Sequence, residues 1–158
     1  VDIGWPNKAA AAKQADTLAR TTAREFETLR GSALIQGDNL DALKELHRVG
    51  YGPYRLALID PPYNTGGGFV YEDDRSEAAW LSFMLPRLRV ARDLLADDGL
   101  MMIFMDEANL PILRMLGREV FGAANDCGVL VWEKKRKPSF LQAQMAVPAT
   151  PKNAEPCE

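Results

Sequence analysis

The segment "LALIDPPYNTGGGFVYEDD", Leu56 to Asp74, joins an apolar run to a stiff polar turn. The run, which starts at Tyr54 and leads to Asp60, is typical of a strand covered on both faces. Pro61 and Pro62 then fix two φ angles and supply no backbone N–H, so the carbonyls of a stiff turn should face outward as acceptors. The sequence therefore predicts a rigid corner, carrying an acid, at the carboxyl end of a buried strand.

Strands and helices alternate along the rest of the chain. A short strand is predicted over Ala33–Gln36, followed by a helix that Asp38 or Asn39 can cap. The later predicted elements are a helix from Ser76 to Gly99, a strand over Leu100–Met105, a helix capped by Asp106, and a strand in "GVLVWEKK", Gly128–Lys135. Strands that alternate with helices and are apolar on both faces predict an α/β fold, with a mostly parallel sheet and helices on both faces.

The two ends of the chain differ in composition from its middle. Residues 1–30 are rich in alanine and charge, and are interpreted as an N-terminal extension either laid over a core or left mobile. Residues 141–158 form an irregular tail rich in alanine and proline, without apolar periodicity. The organised domain is therefore predicted over residues 31–140.

Composition narrows the classes of function. The formal net charge is −3, so a polyanion would have to be held by a local basic patch such as "EKKRK", Glu133–Lys137. Such a run has an alternative interpretation as a merely solvated surface. A single histidine and the absence of zinc-type cysteine spacing argue against a metal site and against a Ser-His-Asp triad. The chain contains neither a membrane-length apolar run nor a signal sequence, which predicts a cytoplasmic protein with no membrane partner.

The corner after the predicted strand has the composition of a ligand site. In parallel α/β sheets ligands bind beyond the carboxyl ends of the strands, where Asp60 is placed. A carboxylate and an outward carbonyl in a fixed relation suit an exocyclic amino group, and the Tyr63 ring offers a face for a planar base. The alternative is an ordinary turn, in which Asp60 caps the next element and Tyr63 packs against the core.

Several motifs of the chain occur together in one known family. They are "DPPY" (Asp60–Tyr63), "NTG" (Asn64–Gly66), "WLSFMLPRL" (Trp80–Leu88), "GDNLDALKEL" (Gly37–Leu46), "ARDLLADDGLMMIFMDEANL" (Ala91–Leu110) and "VWEKKRKPSF" (Val131–Phe140). From about residue 5 to about residue 147 the chain resembles the amino-terminal half of DNA adenine-N6 methyltransferases of the circularly permuted β group. Within that group it is most similar to the modification subunits of type III restriction systems.

The resemblance implies a Rossmann-like fold, S-adenosylmethionine as methyl donor, and a target adenine rotated out of the DNA duplex. It assigns Asp60, Pro61, Pro62 and Tyr63 to catalysis. Asp60 and the Pro61 carbonyl would accept from the adenine amino group while Tyr63 stacks on the base. The resemblance also suggests Asp38, Asn39 and Asp60 as cofactor contacts, although an ordinary helix cap explains Asp38 and Asn39 as well. Gly66–Gly68 and "FVYEDD" would form a loop over the base, or a plain connector.

One part of the family pattern does not occur in this chain. The F-x-G-x-G loop, which in the family grips the methionine end of the cofactor, is absent, and the resemblance ends after about Ala146. Residues 31–140 are therefore interpreted as an incomplete methyltransferase domain with a partial Rossmann-like sheet. A premature end or a reading-frame change near Val147 is the hypothesis for the tail.

The expected partners are DNA and either a carboxyl-terminal half or a restriction subunit. A truncated chain of this kind is expected to be inactive alone. The alternatives are a DNA cytosine-N4 methyltransferase, although these more usually have Ser where this chain has Asp60, and a non-catalytic remnant or binding module.

Overall fold

The computed structural model describes residues 2–17, 26–29, 32–66 and 73–132. These residues form an α/β arrangement of helices and short strands. In chain order the elements are α1 (Lys8–Asp16), β1 (Phe26–Leu29), β2 (Ser32–Ile35), α2 (Asn39–Arg48), β3 (Tyr54–Ile59), α3 (Glu77–Asp93), β4 (Leu95–Ile103), α4 (Leu110–Phe121) and a 3-10 turn, Ala123–Asn125.

The strands of the described residues pair in two separate sheets. β3 and β4 are parallel, with Ile59 opposite Ile103, and α3 connects them, as the alternation of strands and helices predicted. β1 and β2 form an antiparallel pair, with Phe26 opposite Ile35. The strand predicted over Ala33–Gln36 is thus present as β2, whereas its partner β1 lies in the segment predicted as an extension.

β4 begins earlier than the sequence predicted. It starts at Leu95, so Gly99 lies inside the strand, and the prediction that this glycine ends the preceding helix is wrong. The register of β4 against β3 shifts between Tyr54 and Leu56, where β4 has a bulge. A Cβ at position 99 would lie 2.8 Å from the Ala96 carbonyl oxygen and 3.0 Å from that of Tyr54. Gly99 therefore marks a close approach of backbone segments.

α3 is the central helix, because α1, α2 and α4 all contact it. The largest fully buried side chains are Trp80, Met84, Leu85, Pro86 and Leu88 of α3 and Leu116 of α4. Full burial of one such large apolar side chain contributes roughly 1.5–3 kcal/mol. Trp80 and Leu88 of the motif "WLSFMLPRL" are thus core residues, whereas Phe83 is half-buried.

The described part of the N-terminal segment packs on this core. The Trp5 indole Nε1 donates to the Ser82 Oγ of α3 over 3.0 Å, and Ala11 is buried in the core cluster. Lys8 forms an ion pair with Glu119 of α4, with 2.8 Å between Nζ and Oε1. Residues 2–17 thus lie over α3 and α4.

Helices cover one face of the β3–β4 pair. Ile59 and Ile103 pack against the core cluster that α3 and α4 form. The opposite face, called here the open face, carries exposed Leu56, Leu58, Leu100 and Phe104. The prediction of helices on both faces is therefore wrong for the described residues, because none of their helices covers the open face.

The helix starts agree in part with the predicted caps. The Asp38 carboxylate accepts from two N–H groups in the first turn of α2, and the Ser76 hydroxyl accepts from one in α3. The prediction that Asp106 caps α4 is wrong, since Asn109 occupies the cap position of that helix. Asp106 instead accepts from the Ala108 N–H over 2.8 Å, in the turn that precedes the helix.

The strand predicted in "GVLVWEKK" is not formed by its described part. Residues 128–132 have no regular secondary structure, and Leu130 and Trp132 are exposed, because no described strand pairs with them. Residues 133–135 of that motif lie outside the described residues. Within the described ranges, no helix combines the length and apolarity needed to cross a membrane.

Candidate active site

Asp60 lies at the carboxyl end of β3 with an accessible side chain. The last ladder hydrogen bond of the β3–β4 pair runs from the Phe104 N–H to the Ile59 carbonyl over 2.9 Å, immediately before the acid. Asp60 is exposed, and its carboxylate forms no hydrogen bond or ion pair with the other described residues. Two oxygens therefore remain available at the edge where a parallel sheet normally binds ligands.

The side chains of Trp80 and Asn109 donate hydrogen bonds to backbone carbonyls of the corner. The Trp80 indole Nε1 donates to the Pro62 carbonyl over 2.9 Å, and this indole is only 1% exposed. The Asn109 Nδ2 donates to the Tyr63 carbonyl over 2.8 Å and to that of Asn64 over 3.1 Å. The prediction that the corner carbonyls face outward is therefore wrong for Pro62. Among the described residues, none donates a hydrogen bond to the Pro61 carbonyl.

The Tyr63 ring is partly buried at this corner, so it is neither sequestered in the core nor fully in solvent. The next residue, Asn64, has a φ of 58°, in the left-handed region that asparagine tolerates better than most residues. The chain thus turns sharply directly after Tyr63. Asp60, Pro61 and Tyr63 therefore all lie within the four residues that directly precede this turn.

A buried acid, Asp73, closes the loop that follows the corner. Its carboxylate is 2% exposed and accepts from the Asn64 N–H over 2.7 Å, the Thr65 N–H over 3.0 Å and the Thr65 hydroxyl over 2.8 Å. The Gly66 N–H donates to the Asp73 carbonyl over 2.8 Å. Residues 67–72, which contain most of the predicted base-covering loop, lie outside the described residues.

The electrostatics of Asp73 follow from these contacts. Burial pushes the pKa of its carboxyl upward, but the hydrogen bonds from Thr65 and Asn64 and the nearby charge of Arg75 outweigh it, and the pKa lies below its ordinary value. Asp73 is therefore held as a carboxylate that fixes the loop. Sequence analysis did not single out this residue, because "EDD" gives no sign of which acid is buried.

The two predicted cofactor contacts on α2, Asp38 and Asn39, form a cluster with Arg87 of α3. The Arg87 guanidinium donates to Asp38 Oδ2 over 3.0 Å and to Asn39 Oδ1 over 2.8 Å. It also stacks on the Phe83 ring, 3.6 Å from the ring centroid. The Asp38 side chain remains 55% exposed while it caps α2. The predicted helix-cap role is therefore confirmed for Asp38, and its cofactor role stays a prediction.

The Phe83 ring lies between this cluster and the corner. The Arg75 guanidinium lies 4.6 Å from the centroid of the same ring, and the Arg75 carbonyl accepts from the Asn64 side-chain amide over 2.9 Å. Arg75, Phe83 and Arg87 therefore connect the loop after Tyr63 to the start of α2. The basic run Glu133–Lys137, predicted to contact DNA phosphates, lies outside the described residues.

Comparison with known proteins places this corner in a family. The family model N6_N4_Mtase, described as DNA methylase, matches residues 54–152, which begin at the first residue of β3 and include the whole corner. Asp38 and Asn39 lie before the matched segment. The family match extends a few residues beyond position 147, where the resemblance was expected to end.

Curated relatives agree with the family model. The type III restriction-modification enzyme EcoP15I Mod subunit of Escherichia coli is 36% identical over 131 residues, covering 63% of this chain and 20% of the relative. The probable type III HindVI Mod subunit of Haemophilus influenzae is 39% identical over 103 residues, covering 65% and 14%. The type II methyltransferase M.KpnI of Klebsiella pneumoniae is 35% identical over 109 residues, covering 63% and 26%.

The chain spans about a fifth of the length of these relatives. The matched segment nevertheless includes β3, α3, β4 and α4 together with Asp60, Pro61, Pro62 and Tyr63. Because the family model covers well over half of the chain, the chain belongs to the N6_N4_Mtase family of DNA methylases.

Proposed function

We propose that this chain is the base-pocket part of a DNA methyltransferase of a restriction-modification system. The reaction is transfer of a methyl group from S-adenosylmethionine to the exocyclic N6 amino group of a flipped adenine. The observation that carries the proposal is the exposed Asp60 carboxylate at the end of β3, followed by the Pro61 carbonyl, to which no described residue donates a hydrogen bond. Membership of the DNA methylase family and similarity to Mod subunits support it.

The chemistry follows from two acceptors and one ring. An adenine amino group has two N–H donors, and Asp60 and the Pro61 carbonyl can accept one each. Accepting both hydrogens draws the nitrogen lone pair out of conjugation with the ring and raises its nucleophilicity. The Tyr63 ring would stack on the flipped base, while Pro62 keeps the corner rigid. Direct transfer between two positioned partners obtains most of its acceleration from orientation.

The cofactor supplies an electrophilic methyl group on a sulfonium. Its ammonium and hydroxyl groups are donors, so a site for it needs acceptor oxygens that solvent can reach. Asp38 is half-exposed, Asn39 is exposed beside it, and Asp60 is exposed without a described partner, which fits that requirement. We propose these three residues as its contacts. The rest of the site would come from the carboxyl-terminal half.

The proposal also covers fold and partners. β3 and β4 would be two strands of a Rossmann-like sheet that a carboxyl-terminal half completes, and a restriction subunit would bind the assembled enzyme. DNA is the substrate, with phosphate contacts proposed for the basic run Glu133–Lys137. Because its substrate would be DNA, we propose that the protein acts in the cytoplasm.

A second candidate is cytosine-N4 methylation, which agrees with the N4 in the family name N6_N4_Mtase. Cytosine carries an exocyclic amino group with the same two donors, so the same pair of acceptors could bind it. Asp60 is the residue that favours adenine, because the cytosine enzymes more usually have Ser at this position. The modified base that forms therefore decides between the two.

The decisive experiment uses S-adenosylmethionine with a labelled methyl group and a mixed-sequence DNA pool. The chain is tested alone and together with the carboxyl-terminal part of a Mod subunit, and the DNA is digested to nucleosides. We expect labelled N6-methyladenine. Labelled N4-methylcytosine would establish the second candidate, and no labelled nucleoside in either arrangement would establish a non-catalytic module.

Asp60→Asn tests the role of the corner in the same assay. The substitution keeps the size of the side chain but replaces one acceptor oxygen with a donor, so transfer should fall roughly 100-fold or more. Asp98→Asn is the matched control, because Asp98 is an exposed acid of β4 whose partner is the exposed Arg55. Equal rates for the two variants would contradict the proposed role of Asp60.

A further inference from the structure

Asn109 occupies the cap position of α4 without capping it. A cap asparagine ordinarily accepts from N–H groups in the first turn, but the Asn109 side chain makes no such hydrogen bond. Its amide instead donates to the carbonyls of Tyr63 and Asn64, 46 and 45 positions earlier in the chain. The first turn of α4 therefore lacks a capping hydrogen bond from Asn109, because this side chain contacts the corner instead.

Together with Trp80, this amide determines the backbone path of the corner. The Pro62 ring fixes φ of that residue, and the hydrogen bond from the Trp80 indole to its carbonyl fixes the direction of the peptide that follows. Asn109 then holds the next two carbonyls. Three consecutive carbonyls, from Pro62 to Asn64, therefore accept hydrogen bonds from one side chain of α3 and from the residue at the cap position of α4. The Pro61 carbonyl precedes them and has no described donor.

We propose that Asn109 is a positioning residue for methyl transfer, and that Trp80 shares this role. Neither side chain touches the base. They act through Pro62 and Tyr63, by keeping the Asp60 carboxylate, the Pro61 carbonyl and the Tyr63 ring in one fixed arrangement. A displacement of about 1 Å can lower the rate of an orientation-dependent reaction by roughly 100-fold. The inference rests on the proposed function, because it assigns these residues to that reaction.

Asn109→Asp is the informative substitution. Aspartate has the size of asparagine and is an equally good cap residue, so the start of α4 should be preserved. It cannot donate to the Tyr63 and Asn64 carbonyls, so the corner loses both contacts. The matched control is Asn125→Asp, because the Asn125 Nδ2 also donates to a backbone carbonyl, that of Phe121, over 2.8 Å at the other end of α4.

The measurement is steady-state methyl transfer by the full chain in whichever arrangement is active, with the thermal unfolding midpoint of each variant. We expect Asn109→Asp to lower kcat roughly 10- to 100-fold, with KM for DNA changed less than about three-fold, and Asn125→Asp to change neither. Equal losses in both variants, or a kcat of Asn109→Asp within two-fold of the unsubstituted chain, would overturn the inference. Trp80→Phe, which removes the same kind of donor, should lower kcat relative to the control Trp5→Phe.

A second readout separates this inference from the proposed function. If the unsubstituted protein transfers no methyl group, the proposed function fails, and the anchoring is judged from the NMR ring signals of Tyr63 in selectively labelled protein. Those signals should shift in Asn109→Asp and stay unchanged in Asn125→Asp. Unchanged Tyr63 signals in Asn109→Asp would show that the amide does not position the corner.

Discussion

Asp60 and Asp73 lie on either side of the same loop in opposite environments. Asp60 is exposed and has no described partner, whereas Asp73 is almost fully buried and accepts three hydrogen bonds. A carboxylate whose lone pairs are used by the backbone is a structural group, and one whose lone pairs are free can bind a ligand. Asp73 is therefore a structural group of the loop, whereas Asp60 can bind a ligand.

The low pKa of Asp73 predicts how the loop responds to acid. Because the folded pKa lies below the unfolded value of about 3.9, ionised Asp73 stabilises the loop above that pH, and the stabilisation is lost as the pH falls through the folded pKa. We expect hydrogen-exchange protection of the Asn64 and Thr65 amides to be high at pH 6 and to decrease at acid pH. Asp73→Asn should lower this protection on the order of ten-fold at pH 6 and remove its pH dependence.

The exposed neighbour provides the control for this experiment. Asp74→Asn changes the same charge one position later, where the side chain is exposed. It should keep both the protection and its dependence on pH. A pH dependence that survives in Asp73→Asn would show that another group controls the loop.

At the scale of the element, β4 depends on one glycine. A Cβ at position 99 would meet the carbonyl oxygens of Ala96 and Tyr54, and both are backbone atoms that a rotamer change cannot move. Gly99→Ala should therefore destabilise the chain by about 1–3 kcal/mol, as overpacking does. Gly117→Ala is the control, because nothing lies within 4 Å of a Cβ there and the residue is inside α4. It should stabilise the chain by about 0.5–1 kcal/mol.

Urea unfolding followed by circular dichroism measures both variants. The two substitutions add the same methyl group, so their difference reports only the surroundings of each glycine. If both Gly99→Ala and Gly117→Ala stabilised the chain, the bulge in β4 could make room for the added methyl group without a loss of stability. If Gly99 instead ended the preceding helix, Gly99→Ala would lower the stability by a similar amount. Hydrogen-exchange protection would then decrease in α3 and not in the β3–β4 hydrogen bonds. Hydrogen exchange of the Ala57 and Ile59 amides, which lie on the side of β3 that faces β4, distinguishes the two cases.

Local signals in the sequence predicted the elements better than the contacts between them. The cap at Asp38, the helix start at Ser76 and the strand before Asp60 could be predicted because each depends on a few neighbouring residues. The hydrogen bond from Asn109 to the Tyr63 carbonyl joins residues 46 positions apart, and no periodicity in the sequence predicts it. Asp106 and Asn109 are equally good cap candidates by residue type, and the helix starts at Leu110, directly after the second of them. The corner at Asp60–Tyr63 could be predicted from the sequence because its residues are contiguous.

At the scale of the whole molecule, the open face of the sheet is the feature that the described residues leave unexplained. Leu56 and Leu58 are 56% and 57% exposed, and the same surface continues with Leu100 of β4 and with Phe104, which directly follows that strand. Soluble proteins rarely expose contiguous apolar patches of this kind unless the patch binds something. β3 carries apolar side chains on both of its faces, Leu56 and Leu58 on one and Ile59 on the other. It therefore lacks the apolar–polar alternation of a strand that faces water on one side.

The isolated chain should accordingly bind an apolar dye such as ANS and self-associate with increasing concentration. Replacing Leu56 and Leu58 with threonine keeps β-propensity, removes apolar surface, and should lower dye fluorescence roughly two-fold or more. Leu130→Thr is the control, because Leu130 is 77% exposed but lies outside the sheet. Light scattering after size-exclusion chromatography measures the association, and equal effects of the two changes would contradict the importance of the open face.

The same variants connect this surface to the proposed function. If a carboxyl-terminal half completes the sheet, its addition should suppress dye binding by the unsubstituted chain, because the apolar side chains become buried. The threonine variant should bind that half more weakly, since each fully buried leucine side chain contributes roughly 1.5–3 kcal/mol. Methyl transfer in the mixture should then require a higher concentration of the half, while the rate at saturation stays unchanged, because Asp60 and Tyr63 are untouched. A lower rate at saturation would instead show that the open face affects the corner itself.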